Sequence, residues 1–308
     1  MASFGKPPGW KWRPRLVGTN GAFGGSGAAA WQSVREQWES LDLPDNIAPG
    51  DDNFDPEVGD SNNEATDSPY DAIVQAIARA LIGEDPDARQ PTVPPIPLSS
   101  VLPRRSRGGG GGGVGGGAAA GLGGSGGTRS MSGTRRVTTQ AARGASAIGA
   151  AMAYRDRDSR ALADFGLSLE ELDALSPRMR CARILDMAIG EAGHPDEQAM
   201  RQASLEQIKA LTTNNSEEPA VSGVESIRAF IGELTVRLGL VELRDQYLAK
   251  DLTAKQTLQR EKGLRQWVKA KMSRLDIGKY GRVSPTEFHQ VAKQMTADAL
   301  RLLRAGES

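Results

Sequence analysis

Two histidines and one cysteine are the side chains of this chain best suited to metal binding or nucleophilic catalysis. His194 lies in a Gly-His-Pro turn, and His289 follows Phe288 near the predicted start of a helix. Neither histidine has a second histidine or a cysteine at the spacing that zinc sites use. Cys181 lies within a predicted helix, where a buried structural thiol is expected rather than a nucleophile. The sequence therefore predicts no metal site and no catalytic residue.

The carboxylates and the glycine-rich segment also lack the patterns that enzymes use. Neighbouring acidic residues such as Glu170 and Glu171 are explained by the start of a helix, where the dipole favours negative charge. No zinc-protease or calcium-loop motif occurs. The one Gly-x-Ser-x-Gly pattern, at residues 123–127, lies inside the glycine-rich segment, without the preceding strand that a nucleophile elbow needs. Residues 108–127 contain fourteen glycines, but they lack the preceding strand and the following Gly-Lys-Ser/Thr of a phosphate-binding loop. We expect a protein that is not an enzyme and needs no cofactor.

Charge is distributed unevenly along the chain, although the formal net charge is zero. Fifteen acidic residues and one basic residue lie between Glu36 and Asp87. Twelve basic and five acidic residues lie between Arg237 and Arg282. The two stretches either attract each other within the chain or each serve a separate partner.

A candidate basic face lies within residues 250–282 of the chain. Its members are Lys255, Arg260, Lys262, Arg265, Lys269, Lys271 and Arg274. Such a face can follow a phosphate backbone, or it can be solvated or contact an acidic protein surface. The sequence favours the solvated or protein-facing interpretation, and a nucleic-acid-binding adaptor is the alternative.

Tryptophan is clustered near the N-terminal end, where Trp10, Trp12, Trp31 and Trp38 account for four of the five tryptophans. The first two lie among prolines, glycines and basic residues that prevent a helix or a central strand. Trp31 and Trp38 share one face of a predicted short helix over residues 31–41. Exposed tryptophan favours burial somewhere. Three interpretations are open for the tail: loose packing on the chain's own domain, insertion into a partner's groove, or contact with nucleic acid.

Residues 68–83 predict a short amphipathic helix. Pro69 suits the first helical position, and Asp71 lies where the helix dipole favours negative charge. Gly83 ends the pattern. The apolar stripe consists of Ile73, Val74, Ile77 and Leu81. Two interpretations are equally open: the helix docks on a partner, together with the four tryptophans, or it packs on the chain's own C-terminal domain.

The elements that position these residues divide the chain into four parts. Residues 1–67 are an aromatic and basic tail followed by an acidic segment, and residues 68–83 are the short helix. Residues 84–130 are a linker that is first proline-rich and then glycine-rich. Residues 131–308 have helical spacing and no strand periodicity. The predicted fold class is an all-α C-terminal helical bundle domain with a long, largely disordered Gly/Pro-rich N-terminal half.

Caps and prolines mark the expected helix boundaries in the C-terminal domain. A helix over 134–155 is rich in alanine, serine and glycine, which allows either close packing or partial fraying. Ser168 caps a short helix, and Ser284 opens the last one with a capping box. A long helix contains Gly239 as a candidate kink position. A basic helix is expected over 253–277.

The termini and the hydropathy suggest a location. No apolar region follows the N-terminal basic residues, as it would in a secretion signal. No apolar run approaches the roughly 20 residues that a membrane-spanning helix needs. A single cysteine excludes an internal disulfide. We expect a cytoplasmic protein with no membrane partner.

Five stretches of the C-terminal half carry a resemblance to a known family. The first three are TRRVTTQAARGASAIGAAMA, RALADFGLSLEELDALSP and PDEQAMRQASLEQIKAL. The last two are AFIGELTVRLGLVELRDQYLAK and REKGLRQWVKAKM. In pattern and order, over roughly residues 130–275, they resemble the QatB component of Qat bacterial antiphage defence systems, and the last two are similar to the last conserved helices of that family. The likeness includes no catalytic motif.

This resemblance implies a non-catalytic accessory protein of a multi-gene defence system. The implied partners are a QueC-like enzyme of the same operon and also the P-loop ATPase and TatD-like nuclease. The protein would bind the QueC-like enzyme as a scaffold and serve as its substrate, modified at the N-terminus. The residues presented for modification would be Ala2, Ser3, Phe4 and Gly5. The family typically begins Met-Gly, whereas Ala2 follows Met1 here. This chain therefore does not meet the need of a mechanism that requires an N-terminal glycine.

Overall fold

A computed structural model describes seven stretches of the chain: residues 26–39, 69–82, 97–103, 133–190, 192–213, 222–249 and 253–305. Within these stretches every regular element is helical, and there is no strand. The all-α part of the predicted fold class is therefore confirmed for this portion of the chain. The predicted disorder of the N-terminal half concerns mainly residues outside it.

Eleven α-helices and two short 3₁₀ turns make up the described elements. The helices are α1 Ser26–Glu39, α2 Pro69–Ile82, α3 Leu98–Val101, α4 Gly133–Arg155, α5 Ser159–Asp164, α6 Leu169–Asp173, α7 Pro177–Ala188, α8 Pro195–Thr213, α9 Gly223–Ala249, α10 Ala254–Ser273 and α11 Phe288–Arg304. The 3₁₀ turns are Gly278–Tyr280 and Pro285–Glu287.

Helix α4 lies at the centre of the fold and packs against α7, α8, α9 and α11. Its small residues allow this close approach. A β-carbon on Gly144 would overlap the ring of Phe230 on α9, and one on Gly149 would overlap the backbone carbonyl of Pro285. The aromatic ring of Phe230 is fully buried against this glycine. Of the two expectations for residues 134–155, the structure shows close packing.

Local capping explains several of the helix boundaries. Ser168 accepts a hydrogen bond from the backbone N–H of Glu171 at 3.1 Å, as the sequence predicts. Ser284 and Glu287 form the predicted capping box, which opens a 3₁₀ turn that continues directly into α11. Thr253 and Gln256 form a second capping box at the start of α10. That box satisfies backbone donors that no helical partner can reach.

Helices α1 and α2 pack against each other, and both contact the C-terminal helices. Helix α9 is continuous through Gly239, the candidate kink position. This glycine makes room for α2: a β-carbon there would lie 2.8 Å from Cδ1 of Ile77. The N-terminal helices are thereby continuous with the hydrophobic core of the residues that follow the linker.

The predicted linker, residues 84–130, contains one described element. Residues 97–103 include α3, a single turn in which the backbone N–H of Ser100 donates to the carbonyl of Pro97 at 2.9 Å. Helix α3 contacts α4, and a β-carbon on Gly190 would lie 3.7 Å from Pro103. Residues 97–103, in the predicted linker, therefore lie against α4 and Gly190.

Candidate functional site

The contact between α2 and α10 is centred on a buried ion pair. Lys271 Nζ contacts a carboxylate oxygen of Asp71, and each residue is only 4% exposed. Asp71 lies in the first turn of α2, where the helix dipole also favours its negative charge. Gln75 Nε2 donates to the other carboxylate oxygen at 2.6 Å, and the ring of Trp267 lies 5.7 Å from the ammonium. The two charges are thus compensated by each other and by neighbouring polar and aromatic groups.

Two further contacts fasten the N-terminal helices to α10. Arg260 Nη1 donates to the backbone carbonyl of Trp38 at 2.9 Å. That carbonyl lies in the last turn of α1, where side chains from other elements commonly bond the final carbonyls of a helix. The ring of Tyr70 occupies the space above Gly263, where a β-carbon would overlap it. Burial raises the pKa of the Tyr70 hydroxyl, and the charge of Arg260 opposes that shift.

A third basic residue of α10 joins a charge cluster on the neighbouring helix. Arg265 Nη1 contacts Glu233 of α9, and Arg237 Nε lies 2.6 Å from the same carboxylate oxygen. Arg237 also reaches Glu206 and Gln202 of α8. These contacts link α8, α9 and α10 at the protein surface.

The seven residues of the predicted basic face therefore do not form one surface. Arg260, Arg265 and Lys271 are held in the intramolecular contacts just described, and Lys271 is buried. The prediction is wrong for Lys271 because its partner, Asp71, is 200 positions away in the sequence and is invisible to any local pattern. The residues that are exposed are Lys255, Lys262, Lys269 and Arg274.

Three exposed lysines line one side of α10. Lys255, Lys262 and Lys269 are spaced by seven residues, and that spacing keeps side chains within about 20° per step around a helix. Leu258 lies on the same side, and 71% of its surface is exposed. A large apolar residue between cations can contact a partner side chain that is itself apolar and flanked by acids. We call Lys255, Leu258, Lys262 and Lys269 the lysine stripe.

The structure corrects the docking interpretation for six residues. The side chains of Trp31, Trp38, Ile73, Val74, Ile77 and Leu81 are all at most 4% exposed, and they belong to the chain's own core. The physical reason is that an amphipathic helix buries its apolar stripe wherever a complementary face is nearest. Here that face is provided by the described helices of the C-terminal domain. Packing on the chain's own domain was the other interpretation that the sequence left open.

The remaining N-terminal candidates lie outside the described residues. Trp10 and Trp12 stay predicted docking residues. Ala2, Ser3, Phe4 and Gly5 stay predicted presentation residues.

The two histidines and the cysteine lie in three different environments. His289 is buried in α11, at 2% exposure. The Nδ1 atom of His194 accepts from the backbone N–H of Asp196 at 3.3 Å at the start of α8. Cys181 is a buried free thiol whose sulfur lies 3.6 Å from Oγ1 of Thr212. In the part of the chain that the structure describes, no three His, Cys, Asp or Glu residues come together as a metal site would require.

One polar cluster was not anticipated from the sequence. Asp298 of α11 accepts hydrogen bonds from Lys279 Nζ at 2.6 Å and from the Tyr280 hydroxyl at 2.7 Å. Burial alone would raise the pKa of Asp298, but the bonds from Lys279 and Tyr280 outweigh it and lower that pKa. Burial and the Asp298 carboxylate both raise the pKa of the Tyr280 hydroxyl. The cluster attaches the 3₁₀ turn Gly278–Tyr280 to α11. Tyr280 and Asp298 are 18 positions apart in the sequence, and this spacing matches no local pattern that would predict their contact.

Comparison with known proteins gives no match: none among protein-family models, none among curated proteins and none among solved structures. None of the described helices is both long and apolar enough to cross a membrane.

Proposed function

We propose that this chain is a non-catalytic accessory protein of a multi-gene antiphage defence system. In this proposal its helical domain binds a QueC-like enzyme, and the residues ahead of α1 are presented to that enzyme for modification at the N-terminus. The partner and the reaction come from the resemblance to QatB. The physical arrangement of the domain supports them.

The observation that carries the proposal is the way α1 is held. Trp31, Val34 and Trp38 are buried in the core, and Arg260 bonds the carbonyl of Trp38. Burial of large aromatic side chains is worth several kcal/mol, since truncating one to alanine typically costs about 3–5 kcal/mol. The domain therefore has a fixed attachment point at the start of α1, ahead of which lie residues 1–25.

The length of that N-terminal segment suits a modification substrate. An extended chain advances at most about 3.4 Å per residue, so 25 residues reach up to about 85 Å from the domain. An enzyme bound to the helical surface lies well within that distance. Tethering also raises the effective concentration of the N-terminus at the enzyme to the millimolar range.

The burial of His289 and Cys181 supports a role other than catalysis in this proposal. His289 and Cys181 are buried in helices, and catalysis needs convergent, pre-organised groups within reach of a substrate. A role as substrate or scaffold needs none.

The proposal predicts a mass change at the N-terminus. The chain is isolated from cells that carry the neighbouring QueC-like enzyme gene and from cells that lack it, and the N-terminal peptide is analysed by intact-mass measurement. We expect an added mass on residues 2–5 only when the enzyme is present. Ala2→Gly is the matched variant, because it restores the start of the related family.

Identical, unmodified masses in both strains, for the wild-type chain and for Ala2→Gly, would reject the substrate role. The scaffold role would then rest on binding alone. Modification of Ala2→Gly but not of the wild-type chain would show that the enzyme requires glycine at position 2, and it would reject the substrate role for the wild-type chain.

The nucleic-acid adaptor is the second candidate, and the exposed lysine stripe is the observation in its favour. The exposed array consists of the three lysines of the stripe. If all three contact phosphates, the slope of log affinity against log salt should be about −2.7, since each neutralised phosphate contributes about −0.9. A slope near zero, or no binding to a short DNA duplex, would remove this candidate.

A further inference from the structure

Helix α10 is the meeting point of two ends of one acidic segment. Residues 40–68 contain nine acidic and no basic residues, and they connect α1 to α2. At one end, Trp38 is bonded to Arg260 of α10. At the other end, Tyr70 packs on Gly263 and Asp71 pairs with Lys271. The segment therefore leaves and re-enters the described structure beside the same helix.

The distances allow this segment to reach any part of α10. Its two attachment points, Arg260 and Lys271, are eleven residues apart on the helix, which corresponds to about 16 Å. A chain of 29 residues spans up to about 95 Å when extended. The segment thus has ample length to cross from the α2 side of α10 to the lysine stripe. Both ends are already fixed, so little additional loop-closure entropy is lost when the middle binds.

The charges of the two elements are complementary. Helix α10 carries six basic residues and one acidic residue, Glu261. Three of the six, Lys255, Lys262 and Lys269, belong to the exposed stripe around Leu258. In the acidic segment, the sequence Asp51-Asp52-Asn53-Phe54-Asp55-Pro56-Glu57 places one aromatic residue among four acids. Phe54, an apolar residue between anions, is thus complementary to Leu258, an apolar residue between cations.

We propose that the acidic segment, residues 40–68, docks in cis on the lysine stripe of α10, with Phe54 against Leu258. The occupant is this chain's own segment rather than a partner, because its ends are already held beside α10 and its charge has the opposite sign. The inference does not depend on the proposed function.

The expected contact is weak per ion pair and depends on the tether. Exposed ion pairs contribute little individually and are screened by salt. A tethered segment, however, is present at an effective concentration in the millimolar range. We therefore expect docking at low and physiological ionic strength and its loss in concentrated salt.

Zero-length crosslinking tests the contact directly. The full chain is treated with a carbodiimide, which joins carboxylates to lysine amines that touch, and the linked peptides are identified by mass spectrometry. We expect links from residues 40–68 to Lys255, Lys262 and Lys269, and their loss at high salt. Lys209 of α8 and Lys279 are exposed lysines outside the stripe, and they serve as controls by the frequency of their links to residues 40–68. Links between Lys279 and its ion-pair partner Asp298 are not counted. A mixture of isotopically light and heavy chains separates links within a chain from links between chains.

Three outcomes would overturn the proposal. The first is that no link from residues 40–68 to the stripe is found. The second is that these links are no more frequent than links to Lys209 and Lys279. The third is that the links join light to heavy chains, which would identify a second copy as the occupant.

A charge-matched pair of variants gives an independent readout. Asp51→Asn, Asp52→Asn and Asp55→Asn are combined in one variant, and Glu84→Gln, Asp85→Asn and Asp87→Asn in the control. Both remove three negative charges. We expect the first variant to bind heparin severalfold more tightly than the control, because the stripe is freed from its intramolecular competitor. Equal heparin affinities of the two variants would contradict docking through the 51–57 region.

Discussion

At the scale of single residues, the buried pair of Lys271 and Asp71 is the most informative feature of this fold. Two charges removed from water are tolerated only when they compensate each other. The pair therefore links the register of α2 to that of α10. Local sequence patterns could not predict it: Asp71 reads as a helix-start acid and Lys271 as one more cation of a basic helix. Only the tertiary contact reveals that the lysine is buried.

Removing one member of this pair is expected to destabilise the protein strongly. Lys271→Met leaves the Asp71 carboxylate buried without its cation, and such changes typically cost about 3–5 kcal/mol. Lys269→Met, on the exposed stripe of the same helix, is the matched control and should change the free energy of unfolding by less than about 0.5 kcal/mol. Chemical denaturation followed by circular dichroism measures both.

The double variant Asp71→Leu with Lys271→Met should recover much of the loss, because no charge is then left uncompensated. Equal stability of Lys271→Met and Lys269→Met would mean that the ion pair is not buried.

The Asp298 cluster makes the stability depend on pH in a defined direction. The pKa of the Asp298 carboxyl is lower in the folded chain than its ordinary value. Its contribution to the free energy of unfolding is therefore fully present above about pH 4 and is lost as the pH falls through the folded pKa. Asp298→Asn should therefore lower the melting temperature at pH 7. The difference from wild type should shrink as the pH falls through the folded pKa of Asp298 and the wild-type carboxyl becomes protonated.

The side chain of Asp298 is partly exposed, so solvent screening keeps the expected effect at about 1 kcal/mol or less. Melting curves across the acid range measure it. A difference between Asp298→Asn and wild type that stays constant from pH 7 to pH 2 would contradict the linkage.

At the scale of elements, the helices were predictable and their partners were not. The stripe of residues 68–83 predicted α2 within one residue at each end, because proline, acid and glycine signals act locally. The helix over residues 31–41 proved to begin at Ser26. Neither pattern could decide whether its apolar face meets the chain's own core or a partner, since both kinds of surface demand the same stripe. Gly239 and Gly263 make room for Ile77 and Tyr70 of α2, but this role is apparent only from the packed structure.

A matched pair of glycine substitutions tests how α2 is seated. Gly263→Ala places a β-carbon where the ring of Tyr70 lies, and overpacking of this kind typically costs about 1–3 kcal/mol. Gly232→Ala on α9 gains the same helix propensity, of up to about 1 kcal/mol. Its nearest neighbour would be the flexible side chain of Met272 at 3.3 Å.

We expect thermal unfolding at a lower temperature for Gly263→Ala and at an unchanged or higher temperature for Gly232→Ala. If Gly263→Ala is as stable as Gly232→Ala, Tyr70 does not pack on α10.

At the scale of the whole molecule, the all-α architecture followed from the sequence, because helical periodicity and caps repeat through the C-terminal half. The extent of the core did not follow. Its boundary includes α1 and α2, which a composition-based division assigns to a tail and a docking helix. The candidate site was predicted only in outline: the basic helix is present, but three of its seven cations contact α1, α2 or α9, and one of these three is buried. Such long-range pairing depends on tertiary contacts that no local spacing encodes.

The central claim is that the helical domain binds a QueC-like enzyme while residues 1–25 are presented to it. The most direct measurement is the affinity of the purified QueC-like enzyme for the full chain and for a variant that lacks residues 1–25, by isothermal titration calorimetry. The account predicts that both bind, with dissociation constants that agree within a few-fold, because the domain supplies the contact surface. Absence of binding by the full chain, or binding that requires residues 1–25 entirely, would contradict it.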